Sequence, residues 1–482
     1  MAEKAIVSDY GWLVEGPAPQ RKTRKKVVSA ERTSKFDPAV EVLTEVECFQ
    51  LFLSEETFYN ILTFSNKKIA KKHKIKDKLL PKHIYRFVGI LIYMGAHHDT
   101  KNPIEELWSM EDGKAIYRTA MSRNMFKFIT ANIETYDVDA PGAVEVPQPP
   151  PDDKNKDDED ANCVEGAASE EGDDEEEDEN REYLNSLEFD DEKFRILSKK
   201  QLKKSVRVKR GIDLKENYLK YYTPSNFVSV DKHLCSFKGK MWAKVFIKSK
   251  PGRYGIKFRM SADSETGMAL NLQMYCGKCG GREENQGFRV TRDMVLPMLC
   301  RRFKTTVVCD NFFCTLKLSH YLAAFGCQLL GTMRMNRKEV PAEAKDVKKR
   351  SSDTTIFFSK GKSKLVSYYN EKKKLVLLLT TCHDKDDIVA VETTVYSGGK
   401  QQVVHKPQPI IDYNHKMGGV DTADQMVRYY SCRRKTYRWN IRVLYDMIDI
   451  AALNGYKTYS AFNKGDRIEY RNKLSRDLMA YN

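Results

Sequence analysis

Residues 254–277 read YGIKFRMSADSETGMALNLQMYCG. Ile256, Phe258 and Met260 alternate with Lys257 and Arg259, and Leu270, Leu272 and Met274 alternate with Asn271 and Gln273. Alternation with period two gives each run one apolar face, as in a strand, and the DSETG segment between them reads as a hairpin turn. Upstream, NFVSVD (226–231) is a short apolar strand ending on Asp231. Downstream, Thr291 offers an N-cap to a helix through Phe303. TTVVCD (305–310) is a buried strand ending on Asp310, TLKLSHYLAAFG (315–326) is a helix that Gly326 can close, and CQLLGTMR (327–334) is another strand. The order β-β-β-α-β-α-β predicts an α/β chain with the five-stranded mixed sheet of a ribonuclease H-like core. The next helix is the one opened by Asp421, in NHKMGGVDTADQM (414–426).

That order makes a chemical prediction. Ligands of α/β sheets gather beyond the carboxyl ends of the strands, where Asp231 and Asp310 end neighbouring strands of such a core. The helix opened by Asp421 packs on the same edge and adds a third carboxylate, with Asp424 one turn on. Magnesium takes oxygen ligands from one or two carboxylates per ion plus substrate phosphates, and two such ions can run an in-line displacement. Clustered carboxylates repel, so a metal ion or a lysine must offset them. Taken alone, Asp421 also reads as a helix N-cap and Asp424 as a first-turn carboxylate favoured by the helix dipole.

Charge points to a polyanion. The 482 residues carry 82 basic and 67 acidic side chains, a net +15, with 41% hydrophobic residues to build a core. Between Asp152 and Glu179 lie 16 acidic residues and two lysines; without them the rest holds 80 basic and 51 acidic residues, or +29. Such a body fits phosphate neutralisation. The eleven cysteines lack a small secreted framework and imply reduced thiols. The N-terminus MAEKAIVSDYGWL is too charged for a secretory signal, and the longest apolar run, Phe87–Ala96, is too short for a membrane helix, so a soluble protein is expected. RKTRKK (21–26) is a candidate nuclear import signal.

The predicted organisation is a basic disordered tail (1–40), a helical region in two parts (41–139 and 182–224), and an acidic disordered insert (140–181) between them. A core follows (225–337), then an inserted strand-rich domain (338–405), the last part of the core (406–460) and a short C-terminal tail (461–482). The insert admits two roles, a solvated linker or a stand-in for DNA in a basic channel. CGKC (276–279) lacks a second ligand pair at finger spacing, so strand-end thiols are favoured over zinc. Candidate phosphate contacts are Lys238 and Lys240 after the first strand, and Arg334, Arg337 and Lys338 after the fifth. Arg433, Arg434, Lys435, Arg438 and Arg442 follow the acidic pair, alongside Tyr437 and a core-favoured Trp439. No phosphate-cradling glycine loop appears, so no nucleotide cofactor is expected.

Several longer motifs stand in order: SVDKHLCSFKGK (229–240), PGRYGIKFRM (251–260), VVCDNFFCTLKLSHYLAAFGCQLLGTMRMNRKEVP (307–341), DYNHKMGGVDTADQM (412–426) and YSCRRKTYRWNIRVLYDMIDIAALNGY (430–456). Together they closely resemble the transposase domain of the piggyBac family, from about residue 41 to 459. The resemblance implies a ribonuclease H-like catalytic core with an inserted domain and a divided helical region that binds and dimerises on double-stranded DNA. It also implies cut-and-paste transposition at TTAA targets through hairpin intermediates; two Mg2+ or Mn2+ ions are the expected cofactors and the nucleus the expected location. The family's catalytic and metal-binding aspartates fall on Asp231, Asp310 and Asp421, with an auxiliary ligand at Asp424. Two departures are visible. Lys232 stands where many members have Glu, and no cysteine-rich zinc module is expected after Cys432. The second hypothesis is a host-retained, transposase-derived DNA-binding protein with an idle nuclease.

Overall fold

The computed structural model describes residues 11–18, 20–21, 35–73, 78–136, 219, 221–248, 250–277, 285–301, 303–348, 350–397 and 400–482. The acidic insert, nearly all of the second helical part (182–224), the RKTRKK run beyond Arg21, and Cys279 of CGKC lie outside them.

A ten-stranded sheet organises the chain. Its strands are β1 (Leu13–Pro17), β2 (Phe227–Ser236), β3 (Lys244–Phe246), β4 (Tyr254–Asp263), β5 (Ala269–Met274), β6 (Thr306–Cys309), β7 (Gln328–Thr332), β8 (Thr354–Lys360), β9 (Ser363–Tyr369) and β10 (Leu375–Thr380). They lie in the order β1-β8-β9-β10-β7-β6-β2-β4-β3, with β5 paired to β4. Only β2–β6 and β6–β7 are parallel. The alternating runs at 256–260 and 270–274 form β4 and β5, and Gly267, at φ +64°, turns the hairpin where a side chain would be strained.

The sheet differs from expectation in extent. It has ten strands rather than five, because β8–β10 of the insert continue antiparallel from β7 and share the core's sheet instead of forming a detached domain. Among the described strands of the insert, the hairpin β11 (Ala390–Ser397) and β12 (Lys400–Pro407) stands apart, with a two-residue strand at Gln20–Arg21. Residues 11–18 are no tail either. Trp12 is fully buried, its Nε1 donates to the Glu339 carbonyl at 2.8 Å, and β1 pairs with β8.

Helices pack on both faces. The N-terminal set includes α1 (Glu45–Gln50), α2 (Glu55–His73), α3 (Pro81–Ala96) and α4 (Arg123–Asn132); later come α5 (Gln286–Cys300), α6 (Leu316–Ala324), α7 (Gln408–Lys416), α8 (Gly419–Tyr429), α9 (Trp439–Tyr459) and α10 (Arg467–Met479). Thr291 does not cap α5: the helix begins five residues earlier, and Thr291 Oγ1 donates to the Gly287 carbonyl from inside it. The helix ahead of Asp421, α7, was not expected. The C-terminal residues form α10 rather than a tail. They bury Leu474 and Leu478 against α3, where a Cβ on Gly89 would lie 2.8 Å from the Ser475 carbonyl oxygen. Burying each such side chain stabilises the fold by about 1.5–3 kcal/mol.

On one face of the sheet, Val228, Val230, Val307 and Cys309 join Met294, Val295 and Met298 of α5. On the other, Met260 and Ala262 of β4 meet Val420, Ala423 and Val427 of α8 and Ile450 of α9. Val308 and Leu330 meet Ile410 of α7 on the same side. Asp231 is paired with Met260 and therefore faces α8. No described helix is long and apolar enough to cross a membrane.

Candidate active site

The parallel ladder sets the first pair of carboxylates. Val230 lies opposite Cys309, the last pairing of β2 with β6. One residue further, Asp231 and Asp310 stand side by side at the ladder's carboxyl end. Strand β2 does not stop at Asp231 but continues antiparallel to β4 as far as Ser236. Burial and the charge of Asp310 push the Asp231 carboxyl up to about 6. Asp310 accepts from the Phe312 amide at 2.9 Å and from Lys232 Nζ at 2.9 Å. Lys232, the departure noted above, is thus the ion-pair partner of Asp310. Burial raises the phenol of Tyr413 in α7, and the nearby charges of Asp310 and Asp231 add to the rise.

A glycine seats the helix that brings the second pair. A Cβ on Gly419 would sit 2.4 Å from Ser229 Oγ and 3.0 Å from the Asp263 carbonyl oxygen, so only glycine lets α8 settle on β2. The helix N-cap is Gly418, and Asp421 lies in the first turn; neither aspartate caps the helix. Five residues along, Asp424 reaches the His233 ring through Nδ1. Gly419 over Ser229 and Asp424 over His233 bracket Asp231, which shares their face of β2. Lys250 closes the arrangement, with Nζ 2.9 Å from Asp421 Oδ1 and 3.0 Å from Asp424 Oδ2.

Behind this lies a buried charge relay that the sequence reasoning missed. His233 Nε2 is 2.5 Å from Asp446 Oδ2, and Arg442 pairs with Asp446 while donating from Nε to the Ser236 carbonyl at 3.0 Å. Burial opposes a charge on His233, but the Asp446 and Asp424 carboxylates overcome it and hold the imidazolium up to about 10. Burial would raise Asp424 too; His233 and Lys250 together keep it below the ordinary carboxylate range. The signal was available for part of this. His233 follows Asp231 by two and so shares its face, and Asp446 breaks an apolar helical run. Nothing in the turn around Lys250 announced its direction.

The donor set suits a hard cation in chemistry. Asp231, Asp310 and Asp421 offer oxygen only, and the raised Asp231 carboxyl marks negative charge that a cation would relieve. Asp424, expected as an auxiliary ligand, has one oxygen against the His233 ring and the other against the Lys250 ammonium. Among the described residues no three histidine, cysteine or acidic side chains lie close enough to hold one ion. The carboxylates form two pairs, Asp231 with Asp310 and Asp421 with Asp424, and Lys250 touches the second pair while its charge also acts on Asp231.

The basic residues divide into two groups. Lys238, Lys240, Arg334, Lys338, Arg433 and Lys435 are exposed, as is Tyr437 at 72%. A Cβ on Gly239 would lie 2.9 Å from the Tyr437 carbonyl oxygen, so the Lys238–Lys240 turn and the Arg433–Tyr437 segment form one surface. Arg334 and Arg337 lean on Asn311 and Phe312, next to Asp310. The others correct the sequence reasoning. Arg442 is 6% exposed within the relay. Arg438 donates to the Thr130, Ala131 and Ile133 carbonyls at the end of α4 and pairs with Glu134. Arg434 donates to the Asn102 carbonyl at 3.0 Å. These three guanidinium groups hold the fold together. The nine described cysteines are free thiols.

A family model described as transposase IS4 matches residues 44–158 and 181–456. The PiggyBac transposable element-derived protein 3 of Homo sapiens is 25% identical over 271 residues, 54% of this chain and 45% of that protein. The chain belongs to the piggyBac transposase family. The chimeric ERCC6-PGBD3 protein of Homo sapiens matches equally, at 25% over 271 residues that make up 25% of its length. The chain therefore spans less than half the length of either relative. The cryo-EM structure of a piggyBac transposase synaptic complex with hairpin DNA has the same fold. Its TM-score is 0.69 at 24% identity, covering 93% of this chain and 83% of that one. The family match breaks at residues 159–180, inside the acidic stretch.

Proposed function

We propose that the chain is a DNA transposase of the piggyBac type, cleaving and joining DNA at TTAA targets in the nucleus as a homodimer. The single observation that carries this is that Asp310 stands beside Asp231 across the ladder, while Gly419 seats the helix bearing Asp421 and Asp424 on Ser229 of the same strand. The strand order β5-β4-β2-β6-β7 within the sheet, antiparallel on one side of β2 and parallel on the other, supports a ribonuclease H-like core.

Asp231, Asp310 and Asp421 would hold magnesium or manganese, whose chemistry when bound is to activate a water or 3′-hydroxyl and stabilise the departing oxygen. The remaining work belongs to the chain. Lys232 and Lys250 balance the carboxylates. His233, fixed from behind by Asp446 and Arg442, holds Asp424 in place. The surface of Lys238, Lys240, Arg433 and Lys435 meets backbone phosphates, Arg334 and Arg337 flank Asp310, and Tyr437 offers a ring to an unpaired base.

The test uses purified protein, short duplexes containing TTAA, and magnesium or manganese. Nicking or joining by the wild type that Asp310→Asn abolishes supports the proposal. Salt-sensitive binding with no cleavage by either protein refutes it.

A further inference from the structure

We propose that Lys250 is the resident counter-cation of this site: its ammonium holds Asp421 and Asp424 while no divalent ion is bound, and leaves when ions enter. The inference rests on taking the carboxylates as a divalent-ion site.

Three observations carry it. First, the ammonium already occupies carboxylate oxygens that an ion at Asp421 and Asp424 would need, at 2.9 and 3.0 Å. Asp424 Oδ1 is held by His233, which leaves Oδ2, the oxygen that already accepts from the ammonium. An ion set against both carboxylates would therefore meet the ammonium at the same oxygens, where the two positive charges repel. Second, Lys250 is buried for a lysine, its side chain 16% exposed, although Asp421 is 70% exposed. The long side chain is folded inward onto the carboxylates instead of lying in water, where lysine is ordinarily found.

Third, Lys250 is mounted outside the frame that positions the carboxylates. The β3–β4 ladder ends at Phe246 opposite Tyr254, and Lys250 stands in the turn between. That turn is held by its own short hydrogen bonds, Lys250 to the Ile247 carbonyl and Arg253 to the Lys250 carbonyl. The ammonium can withdraw without breaking a strand pairing. Lys232 contrasts with it: it lies within β2, paired with Arg259 of β4, and its contact with Asp310 belongs to the frame.

The consequence is that ion binding is a displacement. Removing the competitor should tighten it, by a factor within the about 5- to 150-fold range common for coupled sites. The experiment titrates Mn2+ into the full chain, wild type and Lys250→Gln, following free Mn2+ by electron paramagnetic resonance. A second readout maps acylation of Lys250 in the wild type by an amine-reactive ester and mass spectrometry. Tighter binding by Lys250→Gln, together with Lys250 acylation that accelerates when Mn2+ is added, is the expected result. Mn2+ binding that Asp231→Asn abolishes, with Lys250 acylation unchanged and Lys250→Gln binding as the wild type does, overturns the counter-cation and leaves the ion site standing. Absence of Mn2+ binding in both proteins overturns the two together.

Discussion

Asp231 and Asp310 leave neighbouring parallel strands at the same level, one residue after Val230 pairs with Cys309. Their proximity, added to burial, lifts the Asp231 carboxyl from 3.8 to about 6. A carboxyl raised on folding binds more protons folded than unfolded between those values, so stability falls as pH climbs through that window. Asp231→Asn should therefore stabilise the ion-free protein at pH 7, by about 1–3 kcal/mol, and the gain should vanish below about pH 4. Urea denaturation at the two pH values measures it; a loss of stability at pH 7 would contradict the arrangement.

His233 carries the opposite sign. Its imidazolium is stabilised by Asp446 and Asp424 from 6.5 up to about 10, so its contribution is complete below pH 6.5 and disappears as pH rises through 10. His233→Ala leaves two buried carboxylates facing each other and should cost about 3–5 kcal/mol at pH 6. The deficit relative to wild type should shrink above pH 10, read from denaturation midpoints.

Gly418 and Gly419 are adjacent yet unequal. A Cβ at Gly418 meets nothing within 4 Å, whereas one at Gly419 meets Ser229 Oγ at 2.4 Å. Gly418→Ala should be near neutral for stability, and Gly419→Ala should cost about 1–3 kcal/mol by pushing α8 off β2. Thermal melting of the two variants side by side tests this.

The arginines separate in the same manner. Neutralising Lys238, Lys240, Arg433 or Lys435 should lower the salt dependence of DNA binding by about one unit of slope each, with the fold intact. Arg442→Leu should unfold or loosen the protein, because Asp446 loses its guanidinium partner. Fluorescence anisotropy across a salt series, with circular dichroism on each variant, distinguishes the two classes.

These contrasts show what sequence could and could not deliver. The β4–β5 hairpin was legible because one apolar face per strand writes itself as period two. The adjacency of Asp231 and Asp310 followed from strand order alone. Charge, however, does not declare its side. Arg438 and Arg442 look like Arg433 in the sequence, and only carbonyls from α4 and the carboxylate of Asp446 tell them apart. Strand β1 was missed because five residues acquire meaning only from β8, some 340 positions away. Lys250 was missed because a turn residue's direction is fixed by tertiary packing, here Gly252 pressed so close to Ser236 that a Cβ would lie 2.0 Å from its hydroxyl oxygen.

The central claim is that Asp231, Asp310 and Asp421 share divalent ions. A crystal of the protein soaked in manganese, with anomalous diffraction recorded at the manganese edge, examines it most directly. Anomalous peaks bonded to Asp231 and to Asp310, with Asp421 drawn into the same coordination shell, are the predicted result. Manganese bound elsewhere, or an Asp421 left facing solvent while ions fill the other two, would contradict it.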